Sequence, residues 1–210
     1  MFYQSNKCNR FFDSAALYSY DARAMANLLI NSALPVKLAE SGQVIETQVK
    51  LSDLQSLNEL VEADLASLAP TKIPQEWQHG TIDIKLTFGW ADINRQIPAL
   101  EGNVSATIIA VCQRCLEPFK LTLNTQLKLM LLIPNCDVIA FEKYEIWETV
   151  EDTVRPIEIV DEALIMAMPL SLVHENYTDC GPLVKKMLAK ELDKTRPFAN
   201  LKSQMSSSNR

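Results

Sequence analysis

Histidine and glycine are scarce in this chain, and their scarcity excludes several kinds of active site. Only two histidines and five glycines occur among the 210 residues. Few histidines are therefore available for a catalytic Ser-His-Asp or Cys-His arrangement. The chain also has no glycine-rich phosphate loop of the P-loop or dinucleotide-binding kind. Carboxylates are plentiful, but plentiful surface acids identify no general acid or base. The sequence therefore predicts a binding or accessory protein that is not an enzyme and has no small-molecule substrate.

Long apolar runs are also missing. No stretch of about 18 apolar residues occurs, and the N-terminus lacks the apolar segment and small-residue cleavage site of a secretory signal. The five cysteines are an odd number at irregular spacing, in a chain long enough to bury a core without disulfides. We therefore expect a cytoplasmic protein without a membrane partner, in which Cys8 and Cys136 are incidental.

The net charge of −6 is unevenly distributed along the chain. Residues 33–184 carry 10 basic and 22 acidic residues, a net charge of −12, whereas residues 185–210 carry seven basic and two acidic residues, a net charge of +5. Nucleic-acid affinity arises largely from basic side chains that displace counterions, so phosphate repels so acidic a body. Any contact with RNA is expected to use the basic tail or a partner protein.

The pattern divides the chain into three regions. Residues 1–32 carry aromatic residues without a helical or strand period, which predicts a poorly ordered extension. Translation from Met25 would remove most of this extension and is an alternative to a start at Met1. Residues 33–184 are expected to form one domain, and residues 185–210 a basic tail that is disordered beyond residue 202.

Within the predicted domain, a helical period gives way to alternation. The stretch Leu51–Ala69 predicts a helix that begins with a capping box formed by Ser52 and Gln55 and ends before Pro70. Its apolar stripe consists of Leu54, Leu57, Val61, Leu65 and Leu68. Alternating segments at 82–88, 104–110 and 119–124, followed by the apolar run 127–133, predict strands. The fold class is therefore α+β, an antiparallel β-sheet or partial barrel with a few packed helices.

Further along, residues 141–162 include eight acidic residues. We interpret most of this region as a solvated loop or sheet edge, with an acidic docking surface for a basic partner as the alternative. The segment Arg155–Ile159 predicts a short strand. Asp161–Met168 predicts a short buried helix with acidic residues at its N-terminus and Pro169 at its end.

The pair Cys112 and Cys115 is the main candidate for chemistry. It lies in the connection Gln113–Pro118 between two predicted strands, and a Cys-x-x-Cys turn can place two thiolates on one zinc ion. His174 and Cys180 are the plausible further ligands, which would complete a closed, four-coordinate structural zinc site. The spacing His-x5-Cys lies outside common zinc-finger spacings, so free thiols remain the alternative. A redox or deaminase motif does not fit, since the first expects a helix N-terminus after a strand and the second a His-x-Glu segment.

Several separate segments together resemble the YceD family, the large ribosomal RNA subunit accumulation proteins. These segments are Cys112–Phe119, Asp161–Leu170, His174 with Cys180, and Arg196–Leu201, and Ser32–Lys37 resembles the usual beginning of the family. The resemblance covers roughly residues 33 to 202. It implies a non-enzymatic factor in ribosome biogenesis that supports synthesis, processing or stability of 23S (large-subunit) rRNA. The implied partner is a large-subunit precursor, contacted through rRNA, a basic ribosomal protein, or both.

The resemblance also suggests roles for single residues. Cys112 and Cys115 match the cysteine pair of the family, and some relatives carry several further cysteines where this chain has only His174 and Cys180. Arg114 is a candidate contact for phosphate or carboxylate. The candidate partner contacts in the tail are Lys194, Arg196, Phe198, Leu201 and Lys202. Two alternatives stay open: Phe198 and Leu201 pack back on the domain, or the protein is a zinc- or thiol-dependent regulatory or chaperone-like binding protein unconnected with ribosomes.

Overall fold

The fold is built around one open, five-stranded sheet. The structure, a computed structural model, describes residues 28–133, 142–149, 151–182 and 184–186. The strands are β1 (Val44–Lys50), β2 (Thr81–Trp90), β3 (Pro98–Val111), β4 (Pro118–Leu132) and β5 (Glu145–Glu148), and the helices are α1 (Pro35–Glu40), α2 (Gln55–Leu65) and α3 (Pro156–Met166). The strands lie in sequence order, the first four are antiparallel, and β5 runs parallel to β4. The predicted α+β class is confirmed, and the sheet does not close into a barrel.

Alternation of side chains explains how the sheet forms. In β2, the buried side chains of Ile82, Ile84, Leu86 and Phe88 alternate with exposed polar neighbours, as an antiparallel sheet with one covered face requires. The helices pack on the apolar face, with α1 against β2 and β3, α2 against β3 and α3, and α3 against β4. The opposite face is mostly polar, with exposed or half-buried side chains, except near Ala99, Met130 and Leu132, which are buried. This alternation correctly predicted β2, β3 and the first part of β4. The apolar run 127–133 continues β4 and is not a separate strand, and β1 and β5 were not predicted.

The start of α2 differs from the prediction. The proposed capping box of Ser52 and Gln55 is wrong, because Leu51–Asp53 forms a separate 3-10 turn and α2 begins at Gln55 after Leu54. Leu54 has no side-chain oxygen to bind the first amides of the helix. Instead, the carboxylate of Asp161 accepts hydrogen bonds from the backbone amides of Ser56 at 2.8 Å and Leu57 at 2.9 Å. The helix is thus capped from a distant part of the chain, while its predicted apolar stripe is buried.

The region of α3 also corrects the prediction. Residues 155–159 are not a strand: Pro156 is the first residue of α3, where its missing N–H leaves no hydrogen bond unmade. Just before it, Val154 pairs with Ala33 in an isolated bridge. Asp161 consequently lies in the middle of α3 and is buried, rather than at its N-terminus. The helix ends at Met166, shortly before Pro169.

The packed structure extends past the predicted start of the domain, and the sheet ends in an acidic edge strand. Leu29 falls inside the predicted N-terminal extension, yet it is fully buried in the core, so the packed structure includes residues before position 33. At the sheet edge, β5 exposes Glu145 and Glu148, in agreement with the interpretation of the acidic segment as a solvated edge. No helix in the described part of the chain is both long and apolar enough to cross a membrane.

Candidate metal centre

The hairpin between β3 and β4 shapes the Cys-x-x-Cys turn. The last residue pair of the two strands joins Val111 to Pro118, as the predicted hairpin requires. Within the turn, the amide of Cys112 donates to the carbonyl of Glu117 at 3.0 Å, and the amide of Leu116 donates to the carbonyl of Cys112 at 2.8 Å. Leu116 closes this turn with a φ of 55°, a left-handed conformation that is uncommon for leucine. Both cysteines are fully buried as a result.

The segment after α3 brings the other two side chains to this turn. The amide of Gln113 donates to the carbonyl of Leu172 at 2.8 Å, which aligns the segment beside the hairpin. A 3-10 turn at Tyr177–Asp179 then directs the chain back, and the amide of Cys180 donates to the carbonyl of Tyr177 at 3.2 Å. The unusual His-x5-Cys spacing is accommodated by this extra turn.

The four candidate ligands meet at one point. The ligand atoms of Cys112, Cys115, His174 and Cys180 all lie within 4.8 Å of one another. The Nδ1 atom of His174 is 3.5 Å from Cys115 Sγ and 3.7 Å from Cys180 Sγ. A tetrahedral zinc ion with bonds of about 2.3 Å to sulfur and about 2.0 Å to nitrogen holds a nitrogen and a sulfur about 3.5 Å apart, and two sulfurs about 3.8 Å apart. The donor set and its spacing fit zinc, with His174 presenting Nδ1.

The three cysteines have apolar surroundings, and His174 is half-buried. Cys180 is fully buried, Val184 packs against the cysteines, and Phe119 and Val173 add further apolar cover. The ring of Phe119 lies 4.8 Å from that of His174. Structural zinc sites have four protein ligands and no open position, whereas catalytic sites keep one for water or substrate. The geometry therefore suits a structural ion.

The pKa values of two thiols show how the site favours a cation. Burial acts to raise the pKa of Cys112, but hydrogen bonds from backbone N–H groups, led by that of His174, outweigh burial and lower the pKa from 9.0 to about 6. Burial, a hydrogen bond to Cys115 and the charges of the other thiols raise the pKa of Cys180, and the charge of Arg114 partly counteracts this rise. Thiolates are the ligand form of cysteine. Cys112 is thus a ready anionic ligand, and a divalent cation would remove the repulsion that opposes deprotonation of Cys180.

Arg114 turns toward the protein itself. Its Nη2 donates to the carbonyl of His174, and its Cζ lies 4.2 Å from the centroid of the Tyr177 ring. No local pattern in the sequence links Tyr177 to Arg114, so this contact is seen only in the tertiary structure. The predicted tail contacts, Lys194, Arg196, Phe198, Leu201 and Lys202, lie outside the described residues.

Comparison with known proteins agrees with the resemblance. A family model described as "Large ribosomal RNA subunit accumulation protein YceD" matches residues 100–203, about half of the chain. This range begins later than the predicted start at residue 33, but it contains all the candidate ligands and the tail segment. Searches among curated proteins and among solved structures found no match. The chain belongs to the YceD family of large ribosomal RNA subunit accumulation proteins.

Proposed function

We propose that this protein is a non-enzymatic, cytoplasmic factor of ribosome biogenesis that supports accumulation of 23S (large-subunit) rRNA. The observation that carries the proposal is the family match over residues 100–203, which spans the metal-ligand cluster and the basic tail together. The closed arrangement of the four candidate ligands agrees with a binding factor, because it leaves no coordination position for a substrate.

The charge of the described surface supports a basic partner for the body of the protein. Among the described residues there are three ion pairs, Lys72–Glu117, Lys85–Glu46 and Arg155–Glu158. Most exposed carboxylates have no cationic partner in that part of the chain, including Glu62 on α2, Glu162 on α3 and both glutamates of β5. This acidity repels phosphate and attracts Lys- and Arg-rich segments. A basic ribosomal protein is therefore the proposed partner of the body.

The tail is the proposed contact with rRNA. Residues 185–210 carry the net charge of +5, and the tail residues named above supply cations and two apolar side chains. Arg114 is not among the proposed RNA contacts, because its guanidinium is already engaged with His174 and Tyr177.

The proposed cofactor is one structural zinc ion held by Cys112, Cys115, His174 and Cys180. Such an ion connects the segment after α3, which leads into the tail, to the β3–β4 hairpin. Metal analysis of protein purified without a histidine tag should find about one zinc per chain, and Cys112→Ser should lose it. Metal content near zero in the parent protein would rule out the ion.

Depletion of the protein tests the function. We expect large-subunit rRNA to fall relative to small-subunit rRNA, and expression of the parent chain to restore the ratio. A variant with Lys194, Arg196 and Lys202 changed to Ala should restore it less well. The matched control changes Lys50, Lys120 and Lys128 to Ala, removing the same charge from exposed positions of the sheet. An unchanged ratio after depletion would refute the function, and equal rescue by both triple variants would refute the role of the tail.

Sedimentation separates the proposal from a regulator unconnected with ribosomes. In gradients at controlled salt, the protein should migrate with large-subunit precursors, and the association should weaken as salt increases because it is electrostatic. Complete absence from precursor fractions at low salt would favour the zinc- or thiol-dependent regulator.

A further inference from the structure

We propose that Arg114 is a positioning residue that clamps the loop bearing His174 and Cys180 onto the Cys-x-x-Cys turn. The inference deepens the proposed metal centre and in that respect rests on it. Arg114 lies between Cys112 and Cys115 in sequence, so whatever it holds is held relative to both sulfurs.

Two contacts form the clamp. The guanidinium donates a hydrogen bond to the backbone carbonyl of His174, and its central carbon lies over the ring of Tyr177, 4.2 Å from the ring centroid. His174 and Tyr177 lie in one loop, and that loop ends at Cys180. A single side chain on the hairpin thus contacts the loop at two points, one of them the backbone of a ligand residue.

Few other interactions attach this loop to the hairpin. Within the described residues, the backbone hydrogen bond between the loop segment and the turn is that from Gln113 to Leu172, supplemented by Ser171 Oγ, 3.2 Å from Gln113 Oε1. Both lie at or before Leu172, near the start of the segment. Beyond it, the loop contacts the hairpin through the cluster of His174, Cys180 and Val184, through the His174 ring against Phe119, and through the close approach of Gly181 to the Glu117 side chain. Arg114 adds its contacts with the His174 carbonyl and with Tyr177. Loss of Arg114 therefore leaves the ligand loop attached by the ligands and by this side-chain packing.

The burial of one nitrogen of the Arg114 side chain supports a built contact. The Nε atom of Arg114 is buried and has no hydrogen-bond partner. Burial of a polar nitrogen without a hydrogen bond is unfavourable, and a surface arginine avoids it by keeping its nitrogens in water. The charge also has a use here, because three thiolates and one Zn²⁺ sum to −1, and the guanidinium balances that charge. Arginine suits both tasks, since its planar fork donates to a carbonyl while its face stacks on an aromatic ring.

Zinc affinity tests the clamp. The parent chain and Arg114→Gln are compared by competition with a chelator of known affinity. We expect about 10- to 100-fold weaker zinc binding by Arg114→Gln, as for loss of other groups that orient metal ligands. Arg114→Lys keeps the charge without the planar fork and should recover only part of the affinity. Tyr177→Leu should weaken binding while leaving every charge in place. The control, Arg95→Gln, removes the same charge in the connection between β2 and β3, which joins β3 at the end away from Arg114, and should bind like the parent.

Hydrogen exchange tests the same clamp without metal. In the zinc-free proteins, amides of residues 171–180 should exchange about 10-fold faster or more in Arg114→Gln than in the parent or Arg95→Gln, because a hydrogen bond of a charged donor is lost. Unaltered exchange together with unaltered zinc affinity would overturn the inference, as would full recovery by Arg114→Lys. A parent chain that binds no zinc would instead refute the metal centre, and the exchange measurement would still decide the role of Arg114.

Discussion

We expect Asp161 to stabilise the fold by capping α2, where it binds the amide of Ser56, 105 residues earlier in the sequence. It lies in the middle of α3, is only 7% exposed, and accepts the amides of Ser56 and Leu57 with its two carboxylate oxygens. These amides are the second and third of α2, the ones that a helix leaves unsatisfied unless a capping side chain binds them. The carboxylate also lies at the positive end of the α2 dipole. The buried carboxylate of Asp161 therefore caps α2, which the side chains of Ser52 and Gln55 do not.

The size of the effect follows from these contacts. Hydrogen bonds to a charged group contribute about 1.5–3 kcal/mol each, and the two here share one carboxylate and are not additive. Removal also recovers part of the cost of burying a charge. We expect Asp161→Ala to lower the free energy of unfolding by about 3 kcal/mol and Asp161→Asn by about 2 kcal/mol, because the amide retains one acceptor and turns a donor toward the second N–H. For a chain of this size, 3 kcal/mol corresponds to a decrease of about 6–12 °C in Tm.

Urea unfolding followed by circular dichroism measures the change, with Glu162→Gln as the matched control. Glu162 is the next residue on α3, is exposed, and has no hydrogen bond or ion pair among the described residues, so its replacement should change stability by less than about 0.5 kcal/mol. Amides at the start of α2 should also exchange faster in both Asp161 variants. If Asp161→Ala were as stable as Glu162→Gln, the capping argument would be refuted.

Three further predictions concern the sheet and the turn. Gly102→Ala should destabilise the protein by more than about 2 kcal/mol in the same urea assay, because the new Cβ would lie 2.3 Å from the carbonyl oxygen of Lys85; stability equal to the parent would contradict this close approach. Leu116→Gly should stabilise by up to about 1 kcal/mol, since glycine adopts a φ of 55° without strain, and a loss of stability would argue against that strain. Chelation should lower the Tm of the parent protein but not that of Cys112→Ser. The parent should lose about 4 kcal/mol of stability if free zinc was at a thousandfold excess over its Kd before chelation. Equal responses of the two proteins would contradict a bound ion.

Local patterns identified those parts of the fold whose structure depends on near neighbours. Alternation identified β2, β3 and the first part of β4 because buried positions there alternate with exposed or half-buried ones, whereas the last four residues of β4 are all buried. The short interval between β3 and β4 placed the cysteine pair in the hairpin. By contrast, Arg155–Ile159 alternates like a strand but is helical, because Pro156 favours a helical start and the apolar residues pack against β4 at helical spacing.

The sequence by itself therefore determined the α+β class, the hairpin that carries Cys112 and Cys115, and His174 and Cys180 as their most plausible partners. It could not determine whether those partners reach the pair, because the two segments are about 60 residues apart and only the tertiary structure sets the distance between them. For the same reason, the sequence did not indicate that Asp161 caps α2 or that Arg114 lies over the ring of Tyr177. Such contacts depend on the path by which the chain after β4 returns to α2 and to the β3–β4 hairpin, and the local periodicity of the sequence does not specify that path.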